Sequence, residues 1–467
     1  MIRSGARVHL VGIAGVGMSG LASVLMSLGA QVSGSDLRSN HETDVLESLG
    51  ARIYRGHSAG YISQDLDGVI VSSAISEDHE EVLAARHHDI PVVPRLAAVA
   101  HILQTRKSIG VTGTHGKTTT TAMIATILKH CGLKPSYLIG ADCPALGGNA
   151  CLDLGDWFVA EVDESDRLLV QVHPDISVLT NIGKDHLQTY NDIADIQQTF
   201  AQYLGQSGKH ILCIDDDRVA NLARAFPKAT TVGIDVAADL EARGLAYNQW
   251  KTSFNLFERG SLVDRVVLPA PGKHNVQNAL CALAAAQQAG VPLMDAISGL
   301  ARFHLPHRRF ELLEENGVVV VDDYAHLPEE IEASLRAIRT GWSNRRIIAV
   351  FQPHRYSRTR ALGDAFGLAF ANADTVLVNP IYAACEQRIP GTTSMQVVDA
   401  IRRDTSCSVR LIETKDETVR FLEDYVEPGD FIISFGAGDV WKVTERLART
   451  LETGSFLRRA PCSIQAA

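Results

Sequence analysis

"RKSIGVTGTHGKTTTTAMIATILKHCG", Arg106–Gly132, reads as a short apolar strand, a glycine turn and a long helical run stopped by Gly132. A glycine turn at a helix N-terminus aims backbone N–H groups at a phosphate, and the helix dipole favours the negative charge. Gly113, Thr114, Gly116, Lys117, Thr118 and Thr119 form the expected cradle. Lys117 suits the β/γ-phosphates of ATP, and the Thr118 hydroxyl suits a magnesium ion. The usual spacing has glycine five residues before Gly116, where this chain has Val111, so the loop is a shorter G-x-x-G-K-T form. A strand, turn and helix of this kind predict an α/β fold with a mostly parallel sheet, its chemistry beyond the carboxyl ends of the strands.

Downstream of the loop, further strands end in polar residues. "FVAEVDESD", Phe158–Asp166, offers Glu161, Asp163, Glu164 and Asp166, and beside a P-loop Glu161 is the expected metal ligand. "TNIGKDH", Thr180–His186, adds Asn181, Asp185 and His186. Upstream, "VGIAGVGMSG", Val11–Gly20, carries G-x-G-x-x-G in Gly15, Gly17 and Gly20, with Asp36 further on. That spacing marks a dinucleotide-type turn. Taken alone it suggests a dehydrogenase, a reading that leaves the P-loop unexplained; a P-loop switch or motor ATPase would release phosphate without an amino acid. The runs "ARVHLVGI", "SGLASVLMSLG", "QVSGSD" and "DGVIVSSAI" alternate strand and helix patterns, as a parallel sheet requires. The third block alternates again through "NGVVVVDDYAH", "RRIIAVFQPHR", "ADTVLVNPIYA" and "GDFIISFGAGDV". Arg308, Arg309, Arg355 and Arg358 near these ends suit carboxylate or phosphate recognition.

At 467 residues the chain exceeds a single hydrophobic core. The expected domains are 1–106, 107–304 and 305–467, with the last boundary in "FHLPHRRF", Phe303–Phe310, and a frayed tail at "RRAPCSIQAA". A formal net charge of -10 argues against a nucleic-acid backbone as partner. Eight scattered cysteines, Cys462 among them, with no C-x-x-C pair, suit reduced thiols in the cytoplasm. The apolar stretch Val8–Val32 is broken by glycines and serines, so it reads as strand, turn and helix rather than signal peptide or membrane span.

The ordered set "GIAGVGM", "GTHGKTTT", "EVDESD", "NIGKDH", "GKHNVQNAL", "HRRFE", "DDYAH", "FQPHRYSRT" and "GAGD" resembles the Mur ligases of peptidoglycan synthesis, from about residue 7 to residue 440. "DESD" and "QPHRYSRT" resemble the alanine-adding branch rather than the later ones or the tripeptide-attaching recycling ligases. The resemblance implies a Rossmann-like N-terminal domain for the UDP-sugar, a central P-loop ATPase and a Rossmann-like C-terminal domain that closes over them. It implies ATP-dependent attachment of L-alanine to the lactyl carboxylate of UDP-N-acetylmuramate through an acyl phosphate, with Mg²⁺ or Mn²⁺, in a monomer or homodimer. By the same resemblance, Gly15, Gly17, Asp36, His57 and Ser73 hold the UDP, and Thr118, Glu161 and His186 the metal. His274, Asn275 and Asn278 face the adenine, with Arg308 and Asp322 or Asp323 near the ribose and γ-phosphate. Tyr324, His326, Arg355 and Arg358 surround the amino acid and acyl phosphate. Lys117, His186, His326 and Arg358 are then the catalytic set, Arg358 taking the alanine carboxylate. Two departures stand out. No lysine lies between Lys184 and Lys209, where later ligases carry a carbamylated one. Ala325-His326-Leu327-Pro328 stands where the alanine-adding branch has Gly-His-His-Pro, which leaves His326 alone for acid–base work.

Overall fold

A computed structural model describes residues 2–186 and 189–452. The expected tail, with Cys462, lies outside the described residues. The chain forms two compact units. The first takes the chain up to Ala246, with Ser253–Pro269 and His274–Pro306; the second takes Tyr247–Thr252, Ala270–Lys273 and everything described from His307.

The first unit opens with strands β1 (Arg7–Val11), β2 (Gln31–Asp36), β3 (Arg52–Arg55), β4 (Gly68–Val71) and β5 (Val92–Pro94), all parallel, in the order β3-β2-β1-β4-β5. The apolar stretch from Val8 is indeed strand, turn and helix. Helix Val16–Ser27 buries Met18, Leu21, Ala22, Val24 and Leu25 and ends at Gly29, left-handed at φ +87°. The residue that needs glycine for the tight turn is Gly12, at φ +82°. Gly15 is an ordinary extended N-cap, whereas Gly20 lets the helix lie close on a neighbouring hairpin. A Cβ there would stand 2.8 Å from Leu138 Cδ1 and 3.3 Å from Ala150 Cβ.

Beneath these strands one buried carboxylate gathers four donors. Glu81 Oε2 accepts from His9 Nε2 (3.1 Å) and Ser35 Oγ (2.6 Å), and Oε1 accepts from His57 Nδ1 (3.1 Å) and the Ser58 N–H (3.0 Å). Burial alone would push this carboxyl up, but the His9 and Ser35 hydrogen bonds outweigh it and hold the group down at about 2. Its folded value lies below the ordinary 4.5, so its stabilisation is fully present above that value and is lost as pH falls toward 2. The drop corresponds to about 3 kcal/mol. Urea titrations between pH 6 and 3 should show the wild type losing more stability on acidification than Glu81→Gln, which has no such proton to take up. Parallel acid limbs would refute this.

The second sheet of this unit comprises β6 (Lys107–Thr112), β7 (Ser136–Leu138), β8 (Ala150–Cys151), β9 (Trp157–Glu161), β10 (Ile176–Leu179), β11 (Lys209–Cys213), β12 (Thr230–Ile234), β13 (Leu240–Asn248), β14 (Lys251–Glu258) and β15 (Ser261–Leu268). Their order is β15-β14-β13-β12-β11-β10-β6-β9-β7-β8. Strand β6 therefore runs between β10 and β9, parallel to both. This sets the loop after β6 between "TNIG" and "EVDESD". One continuous apolar cluster, from Val8 and Leu25 through Leu138 and Phe158 to Leu212, underlies both sheets.

The second unit holds β16 (Glu311–Glu314), β17 (Val319–Asp323), β18 (Ile347–Phe351), β19 (Thr375–Val378), β20 (Ser408–Leu411) and β21 (Phe431–Phe435), in the order β16-β17-β21-β18-β19-β20. Only β16 runs antiparallel. "DDYAH", "GAGD", "QPHR" and "NPIY" thus leave neighbouring strands at one edge. Trp250 belongs here because its ring packs 4.9 Å from that of Trp342 and its Nε1 donates to Glu315 at 2.8 Å. The fold is three-domain α/β with mostly parallel sheets. Among the described residues no helix is long and apolar enough to cross a membrane, and the seven cysteines there are free thiols.

Candidate active site

The loop after β6 has glycine where its backbone demands it. Gly113 has φ +132° and Gly116 φ +82°; a Cβ on the first would overlap Thr180 Oγ1, and on the second Asn278 Oδ1. The loop is held from β10: Asn181 Oδ1 accepts from His115 N–H (2.8 Å), and Asn181 Nδ2 donates to His115 O (3.0 Å). Helix Lys117–His130 follows directly, with no side chain capping its first turn and no acidic residue in it. A helix start of this kind, with its dipole, suits an anion. Lys117 Nζ folds back onto Gly113 O (2.7 Å) and Thr114 O (3.1 Å) and pairs with Glu164 Oε2 at 2.8 Å. Burial pulls this ammonium down, but Glu164, Asp163 and Glu161 outweigh it and keep it firmly charged. Burial in turn pushes Glu164 up to about 7, against the pull of Lys117.

Two groups of hard donors flank the lysine. Thr118 Oγ1 donates to Glu161 Oε2 at 2.8 Å. His186 Nε2 stands 3.4 Å from Asp185 Oδ2 and 3.7 Å from Glu164 Oε1. Ligand atoms of Asp163, Glu164 and His186 all lie within 4.8 Å of one another, a group able to hold a cation. The expected metal set thus falls into two groups, a Thr118–Glu161 pair and a His186 beside Glu164 and Asp163. Asn275 and Asn278, both buried, open helix Lys273–Gln288, and Asn278 packs directly on Gly116. His274 sits beside them at that helix start.

At the first sheet, Asp36 is spent on the turn itself: Oδ2 accepts the Ala14 N–H at 3.0 Å and Oδ1 the Arg38 N–H at 3.1 Å. Its backbone carbonyl takes the Gly56 N–H at 2.7 Å, which brings His57 to the edge of the glycine turn. Ser73 is exposed. Arg95, unforeseen from the sequence, lies against Gly17, where a Cβ would stand 2.9 Å from Nη1. Its Nη2 is 3.6 Å from Asp163 Oδ2. The guanidinium therefore stands between the glycine turn and the acidic loop, and among the described residues it donates no hydrogen bond.

In the second unit, Arg308 is held by Asp322 Oδ2 (2.8 Å), Gly436 O (2.6 Å) and Gly438 O (3.2 Å). Asp323 accepts from Ser334 Oγ (2.6 Å) and the Ala325 N–H, and burial pushes it up to about 6. Tyr324, His326, His354 and Tyr382 form a run of rings with centroids 5.4, 5.8 and 5.6 Å apart. Arg358 Nη1 donates to His354 Nδ1 at 3.2 Å. Arg355 sits at φ +69°, and its buried Nε makes no hydrogen bond among the described residues. Leu327 is 2% exposed, so the position of the missing second histidine faces the core.

Three Mur ligase profiles match the chain in sequence: the family's catalytic domain over residues 7–107, its middle domain over 111–286 and its glutamate ligase domain over 308–438. A UDP-N-acetylmuramate–L-alanine ligase from a Geobacter species is 42% identical over 451 residues, 96% of this chain and 98% of that protein. The chain belongs to the Mur ligase family. Among solved structures, UDP-N-acetylmuramate-alanine ligase from Thermotoga maritima superposes with a TM-score of 0.82 at 28% identity, covering 96% of this chain and 99% of that one. A murein peptide ligase from Psychrobacter arcticus shares the fold at a TM-score of 0.71 and 24% identity, over 96% and 99% of the two chains.

Within this Mur ligase, three features were missed in the sequence. Glu164 was visible in "EVDESD" as one acid among four, and nothing local showed that it is the one that hydrogen-bonds Lys117. Arg95 follows Pro94 at a helix start, 78 residues from Gly17 and 68 from Asp163, a separation that hides the contact. His354 and Tyr382 come from adjacent strands, and their stacking depends on the β18–β19 pairing.

Proposed function

We propose that this Mur ligase joins L-alanine to the lactyl carboxylate of UDP-N-acetylmuramate at the expense of ATP, in the cytoplasm. The ATP half of the reading rests on Lys117, held charged among carboxylates at an uncapped helix start. The choice of substrates is supported by the full-length similarity to alanine ligases. A carboxylate oxygen attacks the γ-phosphorus, and ADP leaves. The alanine nitrogen then attacks the acyl carbon, phosphate leaves, and the amine loses a proton. Lys117 and the amides of Gly113–Thr119 neutralise charge on the transferring group. Thr118, Glu161, Asp163, Glu164 and His186, oxygen-rich with one imidazole, suit Mg²⁺ or Mn²⁺, which would supply charge stabilisation on the phosphate oxygens. The later ligases' carbamyl-lysine has no counterpart, and Glu164 is the carboxylate best placed to stand in for it.

In this reading residues 1–106 bind the UDP-sugar through Gly15, Gly17 and His57, and residues 107–304 bind ATP, with His274, Asn275 and Asn278 toward the base. Residues 305–467 bind the amino acid through Tyr324, His326, Arg355 and Arg358, with Arg308 and Asp323 supporting that edge. His326 handles the proton. Asp36 orders the glycine turn, and Ser73 lies on the same edge. Arg95 takes an oxyanion of the nucleotide-sugar between the turn and the acidic loop.

Phosphate release from ATP, with Mg²⁺ and UDP-N-acetylmuramate, should appear with L-alanine and be much weaker with glycine, serine or a tripeptide. Tripeptide-dependent release in place of alanine would move the protein to the recycling branch. Arg95→Ala should raise the KM for UDP-N-acetylmuramate by about tenfold or more, the scale of a charged hydrogen bond, with the KM for alanine unchanged. An unaltered KM would remove Arg95 from the site.

A further inference from the structure

The Glu81 cluster described above does more than tie strands together, because one of its donors belongs to the nucleotide-sugar edge. His57 follows β3, two residues after Arg55, where Gly56 pairs with Asp36. Its Nδ1 reaches inward to Glu81 Oε1 and Ser35 Oγ, both at 3.1 Å. A carboxylate can only accept, and Ser35 Oγ already donates to Glu81, so Nδ1 must carry a proton. The ring is packed edge-on against His79, with centroids 4.6 Å apart. Nε2 is then the ring nitrogen with no hydrogen bond among the described residues, on a side chain that is 15% exposed. Glu81 itself is fully buried and has all four of its acceptor positions filled, with His9 locking the other oxygen from β1.

We propose that Glu81 is a positioning residue for the nucleotide-sugar: through Nδ1 it fixes the orientation and proton of the His57 ring, so that Nε2 is offered to the UDP-sugar at the carboxyl edge of the first sheet. This rests on the reading of that edge as the UDP site. Carboxylates that orient a ligand-facing imidazole are worth about ten- to a hundredfold in affinity at metal sites, and a similar scale is expected here.

The test is a double-mutant cycle on the full-length enzyme, with kcat and KM for UDP-N-acetylmuramate measured at saturating ATP and alanine. Glu81→Gln should raise that KM by about tenfold with kcat within about twofold, and His57→Gln should do the same. The double variant should be no worse than His57→Gln alone. A rise with His57→Gln but not with a folded Glu81→Gln would overturn the proposal, as would additive losses. No rise with either would instead overturn the nucleotide-sugar reading of this edge. Should Glu81→Gln fail to fold, ¹⁵N-histidine NMR of the wild type decides: His57 must be protonated at Nδ1, and a ring protonated at Nε2 alone refutes the proposal.

Discussion

Lys117→Ala should lower kcat by about a thousandfold or more while the affinity for UDP-N-acetylmuramate stays within a few-fold. The loss follows from geometry. Lys117 is the cation among Glu161, Asp163 and Glu164 that faces the loop, and removing a preorganised charge from a phosphoryl-transfer site costs about 10²–10³-fold even for a single neutral donor. With the ammonium gone, the acidic loop also repels the incoming phosphates. Because Nζ binds Gly113 O and Thr114 O, the loop slackens as well. Calorimetry with the UDP-sugar and phosphate release with all substrates separate the two readouts. Joint loss of turnover and UDP-sugar affinity would show that the loop and the glycine turn form one site rather than two.

Arg308→Met should destabilise the second unit by about 3–5 kcal/mol, the usual cost of stripping one partner from a buried ion pair. Asp322 is 1% exposed and would keep its charge without its partner; burial already pushes this carboxyl up. The carbonyls of Gly436 and Gly438 would lose their donors too. The expected result is an early unfolding transition assignable to the second unit, with nucleotide binding by the first intact at lower temperature. A variant of unchanged stability with a raised KM for ATP would instead give Arg308 a direct role on the nucleotide.

The strand, glycine turn and helix start around Lys117 were readable almost residue by residue, because the neighbours of this turn in sequence are its neighbours in space. The three-block α/β organisation was readable for a similar reason: each strand carries its own polar ending. The glycine fingerprint was harder. Spacing drew attention to Gly15, Gly17 and Gly20, yet Gly12 makes the left-handed turn, while Gly17 and Gly20 are small because Arg95 and Leu138 arrive from elsewhere in the chain. Asp36 stood out as an acid at the expected distance, but its oxygens are occupied by backbone N–H groups of the turn. Glu81 and His9 gave no sign at all; a buried carboxylate shared by four elements follows from sheet order.

The contact at Gly20 reaches further than one helix. Asn149 Nδ2 donates to Val16 O at 2.7 Å across the same seam, and the apolar cluster continues beneath both sheets. A gene cut after codon 106 would therefore produce two fragments, each with a raw oily face, that stay insoluble apart and reassemble when made together. The two sheets of the first unit would have to be inherited, moved and lost as a pair.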